Sequence, residues 1–216
     1  MTHRRDFLAR MTLGAAALAA LDADELRAGT AAASGAWDTS WIDKLATARY
    51  RVVFNASDVS DGAVFDYVSS FYNDYHEVHN TTDDQLRPVV VIRRLGTALG
   101  LNDTLWDRYA IGEDVKIADS ATQAPARRNV FWKAATPAGD SSRKIDTLQR
   151  RGLICLVCNV ALGNMARRTA EKANRKVEDV QAEFRANLVP GAILVPSGIY
   201  ALIRAQNAGC AWMPGT

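Results

Sequence analysis

The chain has 216 residues, of which 48% are apolar and 23% charged. Those proportions belong to an ordinary globular chain and exclude disorder throughout, and the length suits one substantial domain. Its 26 basic and 24 acidic side chains leave a net charge of +2, which gives no reason to expect nucleic acid as a partner.

The N-terminus carries Arg4-Arg5-Asp-Phe7-Leu8, a pattern that resembles a twin-arginine export signal. The mildly apolar run over residues 11–21 is too short for a permanent membrane span, which needs roughly 20 apolar residues. Ala31-Ala-Ala33 offers a small-residue cleavage site. The expectation is a targeting segment over 1–33 and a folded domain over 34–216, in a periplasmic or secreted protein. The alternative is an amphipathic N-terminal helix on a cytoplasmic protein.

Residues 36–49 carry Trp37, Trp41 and Leu45 at helical spacing and predict a short helix packed on the domain. Tyr50-Arg-Val-Val-Phe54 suits a first strand. Asp61 is then the expected N-cap of a helix over 62–79, in which Val64, Tyr67, Val68, Phe71, Tyr72 and Tyr75 share one face. Arg87-Pro-Val-Val-Val-Ile-Arg93 is continuously apolar, as in a strand buried on both faces of a parallel sheet. Asn102-Asp103 caps a helix containing Trp106.

Residues 113–140 show weak periodicity and much Ala, Pro and Gly. They read as a long excursion carrying Asn129, either functional or an oligomer contact. Helix (141–151), strand (152–158), helix (159–174), helix (177–188) and strand (192–195) follow. Ser197 caps the last helix, where Ile199, Leu202, Ile203 and Gln206 recur, and residues 209–213 form a final short strand. This alternation argues a three-layer α/β/α fold on a mainly parallel five-stranded sheet.

Three cysteines are too few for a disulfide-stapled scaffold. Cys155 and Cys158 have C-x-x-C spacing, but Cys155 lies inside a predicted strand. Residues three apart on a strand point to opposite faces with Cα atoms about 10 Å apart at ~3.3 Å per residue. A disulfide needs roughly 4.4–6.8 Å. Cys155 is therefore expected to be a buried apolar residue, and Cys210 a structural one. Cys158 falls where strand becomes helix. It is either a packed cysteine or a reactive thiol whose thiolate the next helix turn stabilises, with Asn159 beside it.

His76 and His79 share a helix, but no third ligand can be assigned, and no metal or cofactor is expected. The dinucleotide, Walker and nucleophile-elbow glycine motifs are all absent from the sequence.

Three blocks carry a resemblance: Leu156-Val-Cys158-Asn-Val-Ala-Leu-Gly-Asn-Met-Ala-Arg167, Leu188-Val-Pro-Gly-Ala-Ile-Leu-Val-Pro-Ser-Gly-Ile-Tyr-Ala-Leu202 and Ala205-Gln-Asn-Ala-Gly-Cys-Ala-Trp212. Over about residues 50–213 the chain resembles the DsrE-like proteins of sulfur relay. The resemblance implies a compact α/β fold assembled as a homo-oligomer, a trimer or hexamer. It also implies that Cys158 accepts sulfane sulfur as a persulfide and passes it to a thiol or sulfur-carrier partner. The opposing expectation is a non-catalytic oligomeric binding protein of the same fold, with Cys158 packed and the Trp106 and Trp132 region serving as a ligand or subunit surface.

Overall fold

Runs of β-branched residues set the sheet. Val52, Val53 and Phe54 lie in β1 (Tyr50–Ala56), and Val89, Val90, Val91 and Ile92 in β2 (Leu86–Ile92). The remaining strands are β3 (Ile154–Cys158), β4 (Ile193–Val195) and β5 (Ala211–Pro214). The computed structural model describes residues 37–136 and 139–215. The expected targeting segment over 1–33 lies outside these residues.

Every strand pairing is parallel, in the order β4-β3-β2-β1-β5. The register sets Val53 beside Val89, Val91 beside Leu156 and Cys158 beside Val195. Parallel neighbours require crossover connections, and helices supply them. Helix α1 (Ser40–Ala46) precedes β1, and the connections carry α2 (Ala63–His79), α3 (Asp103–Arg108), α4 (Ile111–Asp114), α5 (Ile145–Arg150), α6 (Asn159–Ala173), α7 (Val177–Ala186) and α8 (Gly198–Asn207).

Side chains alternate along each strand, so β1, β2 and β3 feed two cores, whereas the residues of β5 are exposed. Val52, Phe54, Val90, Ile92, Cys155 and Val157 pack with Val68 and Tyr72 of α2, Leu162 and Ala166 of α6, and Phe184 of α7. On the other face Val53, Val89, Val91, Ile154 and Leu156 meet Trp41 and Leu45 of α1 and Ala201 and Ala205 of α8. Each Val, Leu, Ile or Phe among them, fully buried, contributes about 1.5–3 kcal/mol over leaving it exposed. The result is the expected three-layer α/β/α fold, with a sheet that is parallel throughout. No helix among the described residues is long and apolar enough to cross a membrane.

Three local expectations change. Asp61 does not cap α2: it takes a left-handed conformation (φ 51°), and Gly62 is the N-cap. Tyr67 on α2 is exposed, while Phe65 is buried. On α8 the recurring Ile199 and Ile203 face outward, at 63% and 52% exposure, and Gly198, Ala201 and Ala205 face the sheet. Small residues let the helix close on the strands, and the alanine stripe therefore packs in place of the isoleucines.

The 113–140 excursion is tied to the body of the domain. Phe131 makes the tie by burial in the larger core, while an antiparallel bridge between Ala118 and Pro125 closes the excursion on itself. Gly62 makes that contact possible, because a Cβ there would stand 2.4 Å from Cδ1 of Phe131.

Candidate functional site

The direction of the crossovers creates the site. From β3 the chain passes to α6, which packs on one face of the sheet. From the neighbouring β4 it passes to α8, which packs on the opposite face. Adjacent connections that diverge in this way mark the carboxyl-end position at which open α/β sheets bind their ligands. Cys158 ends β3 at this point, paired with Val195 at the end of β4.

Cys158 is also the N-cap of α6. Its backbone is extended (φ −71°, ψ 113°), and its Sγ accepts the N–H of Ala161 at 3.4 Å. The sulfur thus stands where a serine or aspartate oxygen stands in an ordinary cap. The sulfur thereby takes up one of the N–H groups that a helix start leaves without an intrahelical partner. Cys158 is 6% exposed, so its side chain is almost fully covered.

All three cysteines are free. Cys155 points to the opposite core at 1% exposure, and burial pushes its thiol up to about 12. Burial pushes the Cys210 thiol up to about 11, partly offset by the charge of Arg51. Among the cysteines, Cys158 alone has its sulfur on a helix N-terminus.

Asn159 opens α6 and accepts a 3.1 Å hydrogen bond from Nε of Arg185 on α7. It therefore ties the two helices together beside the sulfur. Arg93, just past β2, donates through Nε to Oδ1 of Asn55 at 2.9 Å. Its side chain lies over Gly198, where a Cβ would come within 2.6 Å of Arg93 Cδ. Ser197 caps α8 as expected, accepting the N–H of Tyr200 at 3.1 Å.

Asn55, Arg93, Cys158 and Ser197 thus mark the carboxyl ends of β1 to β4. Paired arginines such as Arg93-Arg94 are common on solvated surface, so the pair by itself does not single out Arg93. The available signal was its place as the first polar residue after a buried parallel strand. Exposed Leu95, Val160 and Ile199 follow the ends of β2, β3 and β4, which gives this edge an apolar rim.

Trp106 and Asn129 are elsewhere and fully buried. Trp106 donates through Nε1 to the Ala98 carbonyl at 3.0 Å and meets Phe131 edge-on. Asn129 donates to the carbonyls of Leu99 and Leu101 at 3.0 and 2.8 Å and accepts the N–H of Phe131 at 3.0 Å. Together they pin the excursion to the 98–101 segment, and neither presents a surface to a ligand. His76 Nε2 stands 3.1 Å from Asp83 Oδ1, whereas the His79 ring stacks on Tyr50, so the two histidines have separate partners.

No family model matches the chain, and no curated protein matches it. It is similar to the solved structure of a protein of unknown function from Methanobacterium thermoautotrophicum, at 16% identity and a TM-score of 0.39, over 76% of this chain and 98% of that one.

Proposed function

We propose that the protein handles sulfane sulfur through a persulfide on Cys158. The observation that carries this reading is the Cys158 sulfur, held on the N–H of Ala161 at the start of α6 and the carboxyl end of β3. The thiolate attacks the outer sulfur of a persulfide donor, R–S–SH. A bond forms between that sulfur and Sγ, the donor S–S bond breaks, and its electron pair leaves on R–S⁻. Attack by an acceptor thiolate on the outer sulfur of Cys158–S–SH then returns Cys158 to the thiolate. No external oxidant or reductant enters, because the sulfane sulfur only changes its partner.

The resemblance to DsrE-like proteins around Cys158 supports the same chemistry, with a thiol or sulfur-carrier protein as acceptor. We extend the proposal to a homo-oligomer, a trimer or hexamer, supported by the apolar rim of Leu95, Val160 and Ile199 together with Ile203. The Arg4-Arg5 leader supports export to the periplasm or beyond by the twin-arginine route.

The second reading is a non-catalytic oligomeric binding protein, and the 6% exposure of Cys158 favours it. Native-state alkylation separates the two. Persulfide chemistry predicts that iodoacetamide modifies Cys158 ahead of Cys155 and Cys210 at neutral pH. Equal, slow labelling of all three would support the packed reading.

A further inference from the structure

Backbone strain and unpaired charge coincide at one cavity away from Cys158. The cavity is about 650 Å³ and lies between α6, the turn after α4 and the loops that follow β1 and β2. Four cations line it: Arg94, Lys116, Arg168 and Lys172. Its carboxylates, Asp58 and Asp114, are already engaged. Asp114 takes Lys172 at 2.7 Å, and Asp58 accepts the N–H of Ser60 at 3.2 Å. The side chains of Arg94, Lys116 and Arg168 have no hydrogen-bond or carboxylate partner among the described residues.

Two of these cations sit on backbone that favours glycine. Lys116 has φ 58° and follows the C-cap of α4. The N–H of Ile117 reaches the Gly112 carbonyl at 2.9 Å and that of Lys116 the Glu113 carbonyl at 3.3 Å. This is a Schellman motif with lysine at the position glycine ordinarily takes. Arg94 has φ 53°. The chain around it is clamped by bonds from Arg93 to Ala56 O and from Leu95 and Gly96 to Ser57 O. A left-handed conformation costs energy for any residue with a Cβ, and such strain collects at functional positions.

We propose that this cavity binds a small organic anion, with a phosphate or carboxylate head held by Arg94, Lys116 and Arg168. Guanidinium groups suit both heads because they donate in a planar fork. Val59, Leu95, Val115 and Met165 supply apolar wall for a short aliphatic body. Strain at Arg94 and Lys116 is the cost of aiming two cations at one ligand. The inference rests on this geometry alone and is independent of sulfur chemistry at Cys158.

Calorimetric titration of the full chain at fixed ionic strength tests it. The probes are butyl phosphate, hexanoate, inorganic phosphate and hexylammonium. At least one organic anion binds, inorganic phosphate binds at least about fivefold more weakly, and hexylammonium does not bind. Arg94→Gly and Lys116→Gly each weaken the organic anion at least about fivefold, yet raise Tm by about 2–4 °C because the strain is released. Arg168→Gln weakens binding to a similar degree. Comparison of butyl phosphate with hexanoate identifies the head group. Any of three results overturns the proposal: no binding of either organic anion, unchanged affinity in Arg94→Gly and Arg168→Gln, or equal binding of hexylammonium.

Discussion

The Sγ of Cys158 lies 3.4 Å from the backbone nitrogen of Ala161, so one atom caps α6 and occupies the end of β3. Structure and proposed chemistry therefore share that sulfur, and substitution separates them. Serine keeps a cap acceptor and removes the thiol. Cys158→Ser should unfold in urea within about 0.5 kcal/mol of the wild type, whereas Cys158→Ala should lose about 1 kcal/mol. Both should lose the persulfide. A serine variant as unstable as the alanine variant would show that Sγ does not act as a cap.

Gly198 and Arg93 form a second coupled pair. A Cβ at position 198 would stand 2.6 Å from Arg93 Cδ and 3.0 Å from its Cβ. Gly198→Ala should therefore displace Arg93 from Asn55 and destabilise by about 1–3 kcal/mol in denaturant titration. In the Arg93→Ala background the same substitution should cost much less. Additive effects in this double-mutant cycle would refute the contact.

Asn129 supports the excursion through three hydrogen bonds to backbone. Asn129→Ala should cost about 2–4 kcal/mol, because it leaves the buried carbonyls of Leu99 and Leu101 without these donors. Limited proteolysis should then cut within the 113–140 excursion faster than in the wild type. Unchanged stability would mean that water or a shifted backbone replaces the amide.

Glu183 on α7 links to the end of α3 through Arg108 and Tyr109 and to the turn after α6 through Arg175. Burial works to raise its carboxyl, but hydrogen bonds from Tyr109 and Arg175 and the charge of Arg108 outweigh it and hold the group below its ordinary 4.5. The contribution is therefore fully present above 4.5 and is lost as pH falls through the lower folded value. Urea unfolding between about pH 6 and pH 3 should show wild-type stability falling faster than that of Glu183→Gln. Parallel curves would count against the network.

The strands were legible because β-branched runs such as Val89-Val-Val-Ile92 have few other fates in a chain with helical punctuation. The start of α6 was legible for the same reason: the apolar run ends where helical spacing begins. The packed face of α8 was not. Ile199 and Ile203 repeat at helical spacing, as do Ala201 and Ala205, and hydrophobicity favours the larger pair. Only the closeness of helix to sheet, set by Gly198 under Arg93, selects the alanines. The sequence places Asn129 only in a functional or oligomer-contact excursion, because its acceptors lie 28 and 30 residues away, beyond any local pattern.

The most direct test of the account is the intact mass of the full protein after incubation with polysulfide, compared with Cys158→Ser. The account predicts one adduct of about 32 Da, removed by dithiothreitol and absent from the serine variant. No adduct on the wild type, or the same adduct on Cys158→Ser, would contradict it.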